Sequence, residues 1–254
     1  HNAAQSGATT AATTDSFTVT VTDGKGATTT IPVTVTVGAS NTRPDLGQLT
    51  VSVPADSTGQ VTGSVTASDA DSDALTVTGT TTTSKGTVTV GADGSFTYTP
   101  TATARHNASI SNATRSDTTD NFNLTITDGH GGTTVVPVTV MVSPKNTAPV
   151  AGTTSVGTPN TTTGVVTGSV TATDANNDTL TYSTPATTTK GAVSINATTG
   201  AFTYTPTTTA RSNAAKTGAT AADKADTFTV TITDGHGGTT TQTVIVAVSP
   251  TPQA

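Results

Sequence analysis

Along residues 119–142 apolar and polar positions alternate with a period of two. Phe122, Leu124 and Ile126 face one way, Asn123, Thr125 and Thr127 the other, and Val136, Val138, Val140 and Val142 repeat the pattern after a short break. One apolar face per strand predicts antiparallel sheets packed in pairs. The same signals extended upstream predict seven short strands, roughly 48–53, 60–68, 74–79, 86–91, 94–99, 119–127 and 133–142. Gly91-Ala-Asp-Gly94 reads as a turn, and Pro100 to His106 as a helical turn opened by proline. The expected core centres on Phe96, Tyr98, Phe122, Leu124 and Val138, with Phe202, Tyr204, Phe228 and Val246 as counterparts.

Those counterparts exist because the chain repeats itself. Asp15-Ser-Phe-Thr-Val-Thr-Val-Thr-Asp-Gly-Lys-Gly26 recurs as Asp120 to Gly131 and again as Asp226 to Gly237. Val61-Thr-Gly-Ser-Val-Thr-Ala-Ser-Asp69 recurs from Val166 to Asp174, and Asn41-Thr-Arg-Pro44 from Asn146 to Pro149. The period is that of an immunoglobulin-sized domain. The expected division is 1–40 as the last hairpin of a preceding unit, 41–145 as one repeat, and 146–254 as another with a C-terminal tail. In this alignment His1 corresponds to His106. The fold class expected is all-β, tandem sandwiches of about seven strands strung like beads.

Composition narrows the function. Of 254 residues 10% are charged and 3% aromatic, Thr fills roughly a quarter, and there is no Cys or Trp. All 16 acidic residues are Asp, which suits turns, where Glu would suit helix faces. A net charge of −6 argues against a nucleic-acid partner, and no apolar run is long enough for membrane insertion. The lack of Cys excludes disulfides and thiolate metal sites.

Three motifs together carry a family resemblance. Lys85-Gly-Thr-Val-Thr-Val-Gly-Ala-Asp-Gly-Ser-Phe-Thr-Tyr-Thr-Pro100, Asp69-Ala-Asp-Ser-Asp73 followed by Leu75, and Thr127-Asp-Gly-His-Gly-Gly132 resemble bacterial immunoglobulin-like and cadherin-like repeats, the VCBS type among them. The resemblance implies stalks of secreted or cell-surface adhesins, frequent Ca²⁺ binding and no catalysis. The second repeat departs from the pattern with Asp174-Ala-Asn-Asn-Asp178, and no Glu ligand of the animal cadherin kind is present.

Strand connectivity places three segments at one end of a seven-strand sandwich: the loop between the second and third predicted strands (the B–C loop), the turn between the sixth and seventh (the F–G turn) and the entry linker. Asp69, Asp71, Asp73, Asp128 and Asn41 should therefore converge, and so should Asp174, Asn176, Asp178, Asp234 and Asn146. An all-oxygen set suits Ca²⁺, which takes six to eight oxygens, although the spacing is not that of an EF-hand. Plain turn formation is the competing reading. If Ca²⁺ binds, the first set, richer by one carboxylate, is expected to bind more tightly. His130 and His236 read as turn residues, not as acid–base catalysts. The resulting expectation is a non-enzymatic extender of an extracellular or cell-surface protein, stiffened by Ca²⁺ and partnered by neighbouring repeats, with any surface glycan or protein ligand outside this segment. A glycan- or protein-binding sandwich and an accessory array of a secreted enzyme are the alternatives.

Overall fold

The computed structural model describes residues 9–251. His1 and both extreme ends of the expected division lie outside the described residues. Contacts group the chain into two compact units. One holds residues up to Arg105 together with Thr114–Ser143. The other holds His106–Ala113 together with residues from Pro144 onward.

In the first unit a short helix α1 (Thr10–Thr13) leads into a hairpin of β1 (Thr14–Thr22) and β2 (Thr28–Thr36). A sandwich follows, of β3 (Asp45–Val51), β4 (Val61–Ser68), β5 (Thr76–Gly79), β6 (Gly86–Val90), β7 (Ser95–Pro100), β8 (Thr119–Thr127) and β9 (Thr133–Met141). Between β7 and β8 lie α2 (Ala102–Asn107) and α3 (Arg115–Thr118). The strands form one sheet ordered β3-β4-β7-β6 and another ordered β5-β8-β9, with every pairing antiparallel. The second unit repeats this with β10 (Val150–Val156), β11 (Val166–Thr173), β12 (Thr181–Ser183), β13 (Gly191–Ile195), β14 (Ala201–Pro206), α4 (Thr208–Ala214), β15 (Ala225–Thr233) and β16 (Thr239–Ala247). Its sheets are β10-β11-β14-β13 and β12-β15-β16.

Alternation explains the packing. Phe122, Leu124 and Ile126 on β8 are buried, as are Val136, Val138 and Val140 on β9 and Val61, Phe96 and Tyr98 of the other sheet. Phe96 and Phe122 meet edge to face at 5.4 Å, and Phe202 and Phe228 do the same at 5.2 Å. The expected core residues are all buried. One buried polar network accompanies them. Tyr98 Oη donates to Asp120 Oδ2 at 2.9 Å and Thr83 Oγ1 donates to the same oxygen; Tyr204, Asp226 and Thr188 repeat the arrangement. Burial, and then the hydrogen-bonded carboxylate, push both phenols well above the ordinary tyrosine range.

The first strand departs most from its expected span. It begins at Asp45 and ends at Val51, and its register shifts between Leu46 and Leu49. The irregularity breaks the alternation that sequence periodicity relies on, and Leu46 stays exposed. Helix α3 was not expected. Thr114 and Asp117 cap each other reciprocally there, a local device that a single turn needs.

Candidate metal centre

Asp69 follows β4 directly, and its Oδ1 accepts the backbone N–H groups of Asp71 (2.8 Å) and Asp73 (3.3 Å). This Asx turn bends the B–C loop back on itself. Ser72 completes the bend with φ +63°, and Asn177 does so in the second repeat with φ +62°, a region that Asn tolerates better than Ser. The loop thereby presents Asp69 and Asp73 to one side.

Asp128 follows β8 in the same way. Its Oδ1 accepts the N–H of His130 (2.7 Å) and of Gly132 (3.0 Å), and its Oδ2 accepts Asn41 Nδ2 from the linker at 2.8 Å. Gly132 is required by close approach. A Cβ there would stand 2.0 Å from Asp128 Oδ2 and 2.9 Å from Arg43 Cα. The residue is buried, yet its carboxyl is held below the usual carboxylate range. Burial pushes it up, but the hydrogen bonds from Asn41, His130 and Gly132 more than offset this.

One carboxylate oxygen from each of Asp69, Asp73 and Asp128 can be chosen so that the three lie within 4.8 Å of one another. Asn41 Oδ1 and Asp69 Oδ2 are buried in this group and accept no hydrogen bond. Asp174, Asp178 and Asp234 form the same trio in the second repeat, with Asn146 Oδ1, Asp174 Oδ2 and Asp178 Oδ2 buried without a hydrogen bond. Asn146 Nδ2 donates to Asp234 Oδ2 at 2.7 Å, and the glycine at close approach is Gly238. Anionic oxygens withdrawn from water and given no donor are costly unless a cation meets them. The donor set is oxygen throughout, which fits a hard divalent ion such as Ca²⁺.

Eight of the ten predicted ligands thus come together. Asp71 is not among the grouped carboxylates, and it and Asn176 each spend an oxygen on the linker. Asp71 Oδ2 accepts the linker N–H of Thr42 at 2.7 Å, and Asn176 Oδ1 that of Thr147 at 3.0 Å. Both side chains tie the linker down. The one acidic difference between the repeats therefore falls on this tie, and each trio carries three carboxylates. His130 Nδ1 lies 3.2 Å from Asp73 Oδ2, and His236 Nδ1 lies 3.5 Å from Asp178 Oδ2.

Comparison with known proteins follows the same lines. Bacterial cadherin-like domain is the family that matches, over residues 41–144 and again over 146–250. No curated protein matches the sequence. Among solved structures, extracellular cadherin domains 1–5 of protocadherin gamma B2 align at 14% identity and a TM-score of 0.35, over 95% of this chain and 46% of that one. Immunoglobulin domains 1–5 of sidekick-1 align at 14% identity and a TM-score of 0.37, over 95% and 48%. An endo-fucoidan hydrolase of glycoside hydrolase family 107 aligns at 15% identity and a TM-score of 0.30, over 94% and 34%. The chain spans less than half the length of each of these three. The family match covers most of the sequence, and the chain belongs to the bacterial cadherin-like domain family.

Proposed function

We propose that this chain is a structural segment of an extracellular, adhesin-like protein whose repeats each bind Ca²⁺ and stiffen on doing so. The observation that carries the reading is the pair of three-carboxylate clusters with buried oxygens that accept no hydrogen bond. Asp69, Asp73, Asp128 and Asn41 would hold one ion, and Asp174, Asp178, Asp234 and Asn146 the other. The ion would supply charge neutralisation and would cross-link linker, B–C loop and F–G turn. Without it the carboxylates repel one another, and the linker keeps only its hydrogen bonds, from Asn41 to Asp128 and Thr42 to Asp71 in one repeat and from Asn146 to Asp234 and Thr147 to Asn176 in the other. Family membership supports an extracellular setting, and among the described residues no helix is long and apolar enough to cross a membrane. The hairpin β1–β2 reads as the last two strands of a further copy of the repeat, because it matches β8–β9 strand for strand.

The test is thermal unfolding of the full chain in Ca²⁺ and in chelator. Extracellular modules bind with dissociation constants of about 10⁻⁴–10⁻³ M. At a hundredfold excess over that constant, Ca²⁺ should add about 2.7 kcal/mol to the stability of a binding repeat. Asp69→Asn should remove the first repeat's share of the gain, and small-angle scattering should report a stiffer chain in Ca²⁺. Superimposable melting and scattering curves with and without Ca²⁺ would leave the Asp clusters as turn formers only.

A further inference from the structure

Asp178 has a second set of neighbours that the oxygen trio does not use. His106 Nε2 lies 2.8 Å from Asp178 Oδ1, and His236 Nδ1 lies 3.5 Å from Asp178 Oδ2. One ligand atom from each of these three residues can be chosen so that all lie within 4.8 Å of one another. The two imidazoles stack with centroids 4.1 Å apart and planes 20° from parallel. None of the three side chains is more than 18% exposed, and His106 Nδ1 is buried without a partner. The seat is fixed by backbone. His106–Ala113 belongs to the second compact unit, where Ser111 donates both its N–H (3.0 Å) and its Oγ (2.9 Å) to the carbonyl of Gly235.

Two imidazole nitrogens and one carboxylate oxygen are a different chemistry from the oxygen trio beside them. Ca²⁺ prefers oxygen, whereas borderline ions such as Zn²⁺ prefer imidazole with a carboxylate and complete their shell with water or a carbonyl. A stacked histidine pair on one carboxylate would also be an ordinary packing contact. Against that stands the convergence of three ligand-bearing groups, two of which keep a buried polar atom without a hydrogen bond. We propose that His106, Asp178 and His236 form a second metal site, selective for Zn²⁺ or a similar borderline ion, adjacent to the Ca²⁺ trio and sharing Asp178 with it. Binding turns the rings out of parallel, since two in-plane lone pairs must meet at one ion. The two halves of the Asp178 carboxylate then serve two cations.

The experiment titrates Zn²⁺ into the full chain, free of any polyhistidine tag and held in excess Ca²⁺, while imidazole resonances are followed by NMR. The expected result is a joint shift of the His106 and His236 ring signals with one saturation curve, and a rise in the melting midpoint. His106→Gln should weaken this binding by at least about 100-fold, beyond the 10–100-fold that a group outside the ligand set costs, and should leave the Ca²⁺ response unchanged. Asp174→Asn should weaken the Ca²⁺ response and spare the Zn²⁺ shift, which separates this site from the oxygen trio. Should His106→Gln fail to fold, His236→Gln and the ring signals of the unaltered chain carry the test. Ring signals of His106 and His236 that ignore Zn²⁺, or a folded His106→Gln that binds it like the parent, would overturn the proposal.

Discussion

The hairpin of β1 and β2 and the hairpin of β8 and β9 are near copies in sequence and in register. Phe17 sits opposite Val33, as Phe122 sits opposite Val138, and Asp15 opposite Val35, as Asp120 opposite Val140. Their surroundings differ completely. Phe17 is 53% exposed and Phe122 4%. Strand β8 has β5 on its free edge and a four-stranded sheet over its apolar face, while among the described residues β1 pairs with β2 alone. The turns diverge in the same way. Asp23 Oδ1 accepts the N–H groups of Lys25 and Ala27, just as Asp128 Oδ1 accepts those of His130 and Gly132. Only Asp128 also meets Asn41, Asp69 and Asp73. The Asp-Gly turn is thus a local structure that any copy forms, and it joins a cluster of carboxylates that could hold a metal only where linker and B–C loop are brought to it. The comparison also bears on the turn-former reading. A turn explains Asp23 fully and leaves the buried oxygens around Asp128 unexplained.

The comparison breaks most visibly at the aromatic position. Phe122→Ala should cost about 3–5 kcal/mol, as large-to-small changes in a packed core do. Phe17→Ala should stay within about 0.5 kcal/mol, like other surface changes. Denaturant unfolding of the two variants reads both numbers, and equal costs would show that the first hairpin is covered as tightly as the second.

Next in size is the glycine that lets Asp128 and the linker approach. Gly132→Ala places a methyl group where Asp128 Oδ2 now lies, and should cost about 1–3 kcal/mol. It should also suppress the first repeat's share of the Ca²⁺-dependent rise in melting temperature. The matching position in the first hairpin is already Ala27, so Ala27→Gly should leave both readouts almost unmoved. Calorimetry with and without Ca²⁺ compares them.

A smaller effect is expected from the buried carboxylate that the open hairpin lacks. Asp15 is exposed and accepts the N–H of Ser16, whereas Asp226 is buried under Thr188 and Tyr204. Burial pushes the Asp226 carboxyl up, but hydrogen bonds from Thr188, Thr227 and Tyr204, with the charge of Lys190, outweigh it and hold the group below the usual range. Such a group stabilises the fold above its unfolded pKa of about 3.9, and the contribution is lost as pH falls through the lower folded value. Stability of the second repeat should accordingly drop on acidification below about pH 4. Tyr204→Phe should remove about 0.5–1.5 kcal/mol at neutral pH and shallow that acid drop. An unchanged acid profile in Tyr204→Phe would count against the network.

The smallest change tests the two carboxylate trios against each other. Asp71→Asn gives the first repeat the residue that the second carries at Asn176. Because both side chains hold linker N–H groups outside the trios, stability should move by no more than about 0.5 kcal/mol. Ca²⁺ midpoints that differ before the exchange and coincide after it would restore Asp71 as a ligand.

Strand positions were legible in the sequence because period-two alternation reports burial directly. The places it failed are irregular: the shifted register between Leu46 and Leu49 and the self-capped turn at Thr114–Asp117. Ten candidate ligands followed from loop connectivity, and that connectivity brings eight of them together. What separated Asp71 from Asp69 and Asp73 was the tight Asx turn with its left-handed Ser72, within which Asp71 Oδ2 takes the linker N–H of Thr42. No spacing rule reveals that. His106 was invisible for a different reason. It lies 72 residues from Asp178, and the second repeat carries Ser212 at the matching position, so only tertiary proximity could connect them.

By itself the sequence determined the repeat, the strand periodicity, the core aromatics and the oxygen-only character of the Asp clusters, because these depend on local pattern and on side-chain chemistry. Tertiary structure alone decided which copy of one hairpin is buried, which carboxylates lose their hydrogen-bond partners, why Gly132 and Gly238 must lack a side chain, and where two histidines meet one aspartate. Each of those outcomes depends on atoms far apart in the chain that exclude water from one another, and that exclusion has no counterpart in a linear pattern.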